Sequence, residues 1–306
     1  MPRILGIAVA PTVTLVITVA AWHFPYATDD PIRREVALSE FYELVYASST
    51  TDDTGTADAY AEIAAAAREN ADIVGQIRRF VEMYDLHRGK VLDVGSGSGY
   101  LQDIVDDYTG LDISSAAAAH YHKAFVHGTA TAMPFADATF DAVWSVWVLE
   151  HIPNPEAALA EIRRVVKPGG LIYLRPAWNC VAWAAEGYAV RPYSDFGLGG
   201  KLLKASIPIQ RERAFQFVAT VPNRFVRSAA AISGRPTRLH YRRLTPNYET
   251  YWQADSDAVN SLDFVETAMW FESRGDVCLN CLPGMGRYFW HDKALIIRRN
   301  EGKVTS

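Results

Sequence analysis

One stretch constrains this chain more than any other: Lys90-Val91-Leu92-Asp93-Val94-Gly95-Ser96-Gly97-Ser98-Gly99-Tyr100-Leu101. Val91, Leu92 and Val94 form a short apolar run that predicts a buried strand. Gly95, Gly97 and Gly99 then break the run, and Leu101, Ile104 and Val105 continue in a spacing that predicts a helix. Glycines without a Cβ let the backbone turn sharply and come close to a ligand. Free N–H groups at a helix start favour an electron-rich partner there. An ordinary strand–turn–helix corner uses the same residues, so the turn alone does not name a ligand.

Its details narrow the ligand. A dinucleotide turn reads G-x-G-x-x-G. Here the spacing is G-x-G-x-G, with Tyr100 where the third glycine of that fingerprint stands, and Asp93 sits two residues before the first glycine. A carboxylate there repels a pyrophosphate and suits a cation. Gly110-Leu111-Asp112-Ile113-Ser114 reads as a second short strand ending in an acid, and Asp112 lies 17 residues after Gly95. An acid so placed accepts the hydroxyls of a ribose.

Further blocks follow in order: Gly128-Thr129-Ala130, Met133-Pro134-Phe135 with Asp137, Phe140-Asp141-Ala142-Val143, Leu149-Glu150-His151 and Val165-Val166-Lys167-Pro168-Gly169-Gly170. With the glycine turn they resemble the class I S-adenosylmethionine-dependent methyltransferases, in the type 11 group of quinone, sterol and small-molecule enzymes, over about residues 72–176. The resemblance implies S-adenosyl-L-methionine as cofactor and a Rossmann-like, doubly wound, mostly parallel α/β sheet of seven strands. It implies cofactor contacts from Asp93, Gly95, Ser96, Gly97 and Gly99, from Asp112 and Ile113, from Thr129 and Ala130 after the third strand, and from Ser145 after the fourth. In related O-methyltransferases a further Glu precedes the Glu-His pair by three residues and helps bind a divalent metal. Here that residue is Trp147, so no metal is expected. Glu150 and His151 are the catalytic candidates. An imidazole with an ordinary pKa near roughly 6.5 suits removal of a hydroxyl proton. Fixing a helix start is the alternative role for the pair, and for His151 the two carry equal weight.

Nearly half of the 306 residues are apolar, enough for a sizeable core, and a net charge of −5 gives no general case for nucleic-acid binding. Three cysteines make no disulfide framework. Cys278-Leu-Asn-Cys281 lacks a second pair, so two partly buried thiols are expected rather than a metal site.

Residues 4–22 carry no charge and are just long enough to cross a hydrocarbon core of roughly 30 Å. A retained membrane anchor is the favoured reading, with a secretory signal and a buried helix as alternatives. Export conflicts with a cofactor kept in the cytosol, so the cytoplasmic face of a membrane is the expected location, or the cytoplasm if this segment is buried. Residues 31–50 predict a helix with Phe41, Leu44 and Val45 on one face. Ala57–Tyr84 predicts another, with Ile73, Ile77, Phe80, Val81 and Tyr84 on one stripe and Tyr60 near the cofactor or in packing.

The organisation expected is a hydrophobic segment (1–30), a helical cover (31–89), a cofactor-binding core (90–176), a basic and aromatic cap (177–254) and the end of the sheet (255–306). The cap offers Trp178, Trp183, Tyr188, Tyr193 and Phe196 for an acceptor pocket or for a small core of their own. Between Lys201 and Arg243 ten basic residues face only Glu212, so the segment carries +9 and the rest of the chain −14. Docking on an anionic bilayer is narrowly favoured. Pairing with the acidic remainder and binding a phosphate-bearing acceptor stay open. Asp255 and Asp257 are expected to cap a helix or to meet acceptor hydroxyls, and Phe271–Gly275 to form a strand-to-turn corner. The reading is a methyltransferase acting on a hydroxyl of a lipid-linked or amphipathic acceptor. The alternatives are a soluble acceptor or a non-catalytic scaffold of the same fold.

Overall fold

The computed structural model describes residues 31–47, 64–185, 187–231, 236–247 and 253–301. The apolar run at 4–22 and Tyr60 lie outside them. Among the described residues no helix is long and apolar enough to cross a membrane.

Apolar strand runs separated by short connections build one seven-stranded sheet. Its strands are β1 (Lys90–Val94), β2 (Asp107–Asp112), β3 (Ala124–His127), β4 (Phe140–Val146), β5 (Val166–Arg175), β8 (Val277–Cys278) and β9 (Leu295–Arg298). Their order is β3-β2-β1-β4-β5-β9-β8. The first five run parallel, and β9 is antiparallel to both β5 and β8. This is the expected mostly parallel sheet, with its order reversing between β1 and β4. In such sheets ligands sit beyond the carboxyl ends of the strands at the reversal.

Two apolar layers cover the faces. On one, helix α2 (Ile73–Met83) buries Ile73, Ile77, Phe80 and Val81 against Val91, Tyr108, Trp144 and Tyr173. These are the stripe residues foreseen, although the helix does not run unbroken from Ala57. Asp72, at φ 49°, separates α2 from helical residues 64–70. On the other face α3 (Pro155–Val165) buries Leu159, Ile162 and Val165. It starts where the Asn154 side chain accepts from Ala157 N, and Pro155 occupies its first turn, where no N–H is needed.

The glycine turn does not lead into a helix: residues 100–106 are turns and bends. Gly95 N and Ser96 N donate to the Leu111 carbonyl at 2.8 and 3.1 Å, so the turn is tied to β2 instead.

After β5 comes the segment read as a cap. It contains α4 (Leu198–Gln210) and α5 (Arg213–Ala231) and returns through a short ladder of β6 (Arg242–Arg243) with β7 (Asn260–Ser261). The next helix, α6 (Phe264–Glu272), is capped by Asp263, which accepts from Val265 N and Glu266 N. Capping therefore falls to Asp263 and not to Asp255 or Asp257. Phe271 ends this helix rather than a strand. Cys278 and Cys281 form a disulfide and are not free thiols. Strand β8 brings them side by side at the sheet edge, where Leu279 N bonds to the Ile296 carbonyl of β9.

Candidate active site

A cleft of about 650 Å³, mouth included, opens over the carboxyl ends of the parallel strands. Gly95 and Asp112-Ile113 come from the ends of β1 and β2. Gly128-Thr129-Ala130 comes from the end of β3, and Trp147-Val148 with His151 from the turn after β4. Helix α1 (Pro31–Ala47), within the stretch read as a helical cover, forms the remaining wall with Glu35, Leu38, Tyr42 and Tyr46. These four recur at the helical three-to-four-residue interval and so share one face. The face foreseen from Phe41, Leu44 and Val45 is not the inward one, and Leu44 is exposed. The cleft is partly polar, so an all-apolar stripe does not select its partner face.

Asp112 anchors the cleft. Gly97 N donates to its Oδ2 at 2.8 Å and Ser114 N to its Oδ1 at 3.0 Å. Burial pushes this carboxyl up, and the backbone N–H groups oppose the shift. Each oxygen retains acceptor capacity, because a carboxylate offers about four lone-pair sites. Gly95 adopts φ +70°, and a Cβ there would lie 2.3 Å from Val148 Cγ2. The glycine is therefore required by both the turn and the neighbouring wall. Tyr46 closes over Gly97, where a Cβ would meet its phenol oxygen at 2.5 Å.

The cofactor contacts read from the sequence divide into two sets. Gly95, Asp112, Ile113, Thr129 and Ala130 line the cleft. Asp93, Ser96, Gly97, Gly99 and Ser145 are not among its lining residues. Asp93 is buried between strands, where Tyr108 donates to its Oδ2 at 2.8 Å; burial nevertheless pushes its carboxyl up to about 7. Gly97 contributes its N–H to Asp112. Gly99 lies against the Tyr121 ring, and Ser145 is buried in β4.

His151 lines the cleft from the turn after β4, and Glu150 beside it is fully buried. Glu150 Oε1 accepts from Ala177 N at 2.8 Å, and burial pushes this carboxyl up to about 7. The segment after the cap supplies the rest of the cluster. Val259 N donates to the Glu150 carbonyl, and the Asn260 side chain donates to the carbonyls of Leu149 and Ile152, each at 2.7 Å. These bonds seat Asp255 and Asp257 beside the imidazole. His151 Nδ1 stands 3.4 Å from Asp257 Oδ2 without a hydrogen bond in this geometry, and Nε2 stands 4.0 Å from Glu150 Oε1. Desolvation lowers the imidazole pKa, but Asp257, Glu150 and Asp255 together outweigh it and hold the value above the ordinary one. Among the described residues no three His, Cys, Asp or Glu side chains are arranged to hold a metal ion.

The chemistry of the cleft fits the cofactor implied by the resemblance. Among the described residues its lining carries Glu35 and Asp112 and no lysine or arginine. Such a lining accepts a sulfonium and an ammonium and offers nothing to a pyrophosphate.

The cap aromatics mostly pack on one another and on cations. Tyr188 stacks on Phe196 at 4.4 Å, Arg211 lies over Trp183, and Lys204 lies over Tyr193. Trp178 packs on Phe264 and donates to the Lys293 carbonyl. Several basic residues of the cap have internal partners. Arg224 pairs with Asp263, Arg227 with Glu266, and Lys204 Nζ donates to the carbonyls of Tyr188, Ala189 and Arg191. Lys201, Arg211 and Arg213 are exposed.

Residues 92–174 match the family model described as a methyltransferase domain. A phthiotriol/phenolphthiotriol dimycocerosates methyltransferase of Mycobacterium ulcerans is 33% identical over 153 residues, 44% of this chain and 56% of that protein. A ubiquinone biosynthesis O-methyltransferase of Dechloromonas aromatica is 36% identical over 102 residues, 28% of this chain and 43% of that protein. The matches thus span about half the length of these relatives. Among solved structures, the S-adenosylmethionine-bound amino pentose methyltransferase CalS10 of Micromonospora echinaspora is 22% identical and covers 35% of this chain and 50% of its own, at a TM-score of 0.32. Over residues 92–174, this chain carries a class I S-adenosylmethionine-dependent methyltransferase domain.

Proposed function

We propose that this protein transfers a methyl group from S-adenosyl-L-methionine to a hydroxyl of an amphipathic, lipid-linked acceptor at a membrane surface. The observation that carries the reading is the cleft itself. Its lining, free of lysine and arginine among the described residues, includes Asp112 and His151. When bound, the cofactor supplies a methyl carbon on a positively charged sulfur, an already activated electrophile. Asp112 would hold the ribose hydroxyls, Thr129 and Ala130 would meet the adenine, and Gly95 would let the backbone approach. Asp93, Ser96, Gly97, Gly99 and Ser145 would act from behind this lining by shaping the turn and the strand ends. His151 would take the acceptor hydroxyl proton on Nε2, with the imidazolium stabilised by Asp257, Asp255 and Glu150. Holding acceptor and methyl donor in line supplies much of the remaining acceleration.

Oxygen as the acceptor atom is favoured by the relatives' names, one an O-methyltransferase and the other named for triols. A membrane-borne acceptor is favoured by the outer face of α4, where Leu198, Leu202 and Ile209 are exposed on one stripe beside Lys201, with Arg211 and Arg213 following. Large exposed apolar side chains next to cations suit an anionic lipid surface. This would place the protein at the cytoplasmic face of a membrane. The division into a cofactor core at 90–176 and a cap at 177–254 follows the same reading, with the cap offering the acceptor site.

Calorimetry with S-adenosylmethionine and its demethylated product tests the cofactor site, and the absence of heat with both would leave a scaffold. Incubating the protein and cofactor with membrane and soluble extracts then tests the acceptor. A product heavier by one methylene from the membrane fraction supports the full reading. A product from the soluble fraction alone removes the lipid acceptor.

A further inference from the structure

The geometry points to Tyr42 as a positioning residue through which the seating of α1 over the cleft sets the Asp257–His151 pair. The inference rests on reading the cleft as the cofactor site and extends it to how the base is made ready.

Three independent contacts hold α1 across the mouth. Near its start Glu35 accepts from the hydroxyls of Thr129 and Thr131, in the loop after β3. Near its end Glu43 accepts from Ser114 Oγ, Ser115 N and Ser115 Oγ at 2.6–2.8 Å, in the loop after β2. Between them Tyr42 reaches past the cleft and donates its phenol O–H to Asp257 Oδ2 at 2.6 Å. Its ring also meets the imidazole of His151 edge-on, with centroids 6.2 Å apart.

The shared atom matters. Asp257 Oδ2 accepts the phenol and is also the oxygen that His151 Nδ1 faces at 3.4 Å. A carboxylate turns as a unit, so the phenol bond selects the rotation that His151 encounters. It also draws on the negative charge that would otherwise act on the imidazole. Both ends of α1 are attached to loops that line the cleft. Cofactor filling the cleft therefore presses on the helix that carries the phenol. Glu150 and Asp255 act on the same imidazole, the first from the turn after β4 and the second from the segment that also carries Asp257.

The test reads His151 directly and requires no acceptor. The imidazole titration is followed by nitrogen NMR, with the resonance assigned through His151→Gln, in the presence and absence of S-adenosylhomocysteine. Tyr42→Phe keeps the ring and removes the donor. It should raise the His151 midpoint by roughly half a unit or more, because the freed Asp257 charge acts more fully on the imidazolium. The double variant Glu35→Gln with Glu43→Gln weakens both ends of α1 and leaves Tyr42 and Asp257 intact. It should raise the midpoint in the same direction. An unchanged midpoint in Tyr42→Phe overturns the proposal, and so does a double variant that titrates like the native protein. Calorimetry with S-adenosylhomocysteine on the same samples keeps the two readings apart. Loss of the cofactor reading appears as absent heat in the native protein, whereas failure of the positioning role appears only in the titrations.

Discussion

The backbone N–H of Gly97 donates to Asp112 Oδ2 over 2.8 Å, so the glycine turn and the carboxylate at the end of β2 are one mechanical unit. Removing the carboxylate removes two things at once: the ribose acceptor proposed above and the anchor of the turn. A hydrogen bond to a charged group contributes roughly 1.5–3 kcal/mol. Asp112→Ala should therefore weaken S-adenosylhomocysteine binding at least about tenfold in calorimetry. Asp112→Asn, which keeps one acceptor oxygen, should lose less.

Gly95→Ala should destabilise the fold for two separable reasons. The backbone sits at φ +70°, and the new methyl would meet Val148 at 2.3 Å. A left-handed conformation costs a residue with a Cβ on the order of 1 kcal/mol, and overpacking adds roughly 1–3 kcal/mol. Adding Val148→Ala should recover the second part and not the first, as read from denaturant midpoints of the single and double variants.

Asp93 gives a pH signature. Its carboxyl is pushed up to about 7 from an ordinary 3.8, so the native state binds this proton more tightly than the unfolded chain. The group favours the fold fully below the unfolded value, and that contribution is lost as pH rises to about 7. Asp93→Asn abolishes the titration and keeps an acceptor for Tyr108. Its stability relative to the native protein should therefore rise between about pH 4 and pH 7 and then level, by up to a few kcal/mol at about 1.36 kcal/mol per unit. A difference that stays flat with pH would refute the assignment.

Turnover should carry a limb from His151. Asp257, Glu150 and Asp255 hold its pKa above the ordinary 6.5, and the free base is the active form proposed. The rate constant under saturating substrates should thus rise through a midpoint above 6.5 and lose that limb in His151→Ala, which should spare cofactor affinity. General-base catalysis typically contributes about 10²–10⁴-fold, and the variant's turnover should fall on that scale.

Arg224 is buried in the cap, pairs with Asp263 at 2.7 Å and donates to the Tyr288 carbonyl. Asp263 is also the N-cap of α6. Arg224→Ala leaves the partly exposed Asp263 with its two backbone donors alone and should cost roughly 1–3 kcal/mol in chemical denaturation. Exposed Lys201→Ala should cost almost nothing in the same assay.

The sheet and its ligand end are legible in the sequence because they rest on short-range rules. Val91-Leu92, the glycine spacing and Asp112 each act through neighbours a few residues away or through a fixed strand–turn geometry. The strands at Lys90–Val94 and Asp107–Asp112 and Asp112 itself stand where the sequence places them, whereas the corner read at Phe271–Gly275 is helical up to Glu272 and the edge strand follows it at Val277–Cys278. The helix read after Leu101 does not form: Gln102 N and Ile104 N instead close short turns onto the carbonyls of Gly99 and Leu101. The cleft wall formed by Glu35, Tyr42 and Tyr46 is harder to read. Their three-to-four spacing marks a shared face, but its partner is a polar cleft that only tertiary packing creates. Asp257 stands out in sequence as an acid near aromatics. Its meeting with His151 across 106 residues depends on the β6–β7 ladder, which two-residue strands do not announce. The basic run from Lys201 to Arg243 reads as a surface feature because its partners, Asp263 and Glu266, lie outside it.

The Asn260 amide, gripping the carbonyls of Leu149 and Ile152 from the far side of the cap, bears on how this protein can diversify. A transplanted acceptor module that ended before residue 260 would keep this clasp, whereas one that replaced it would loosen the loop bearing the imidazole. On the acceptor reading proposed above, new substrate preferences are thus most easily gained by exchanges confined between residues 178 and 254, which leave Asp255, Asp257 and that clasp in place around the imidazole.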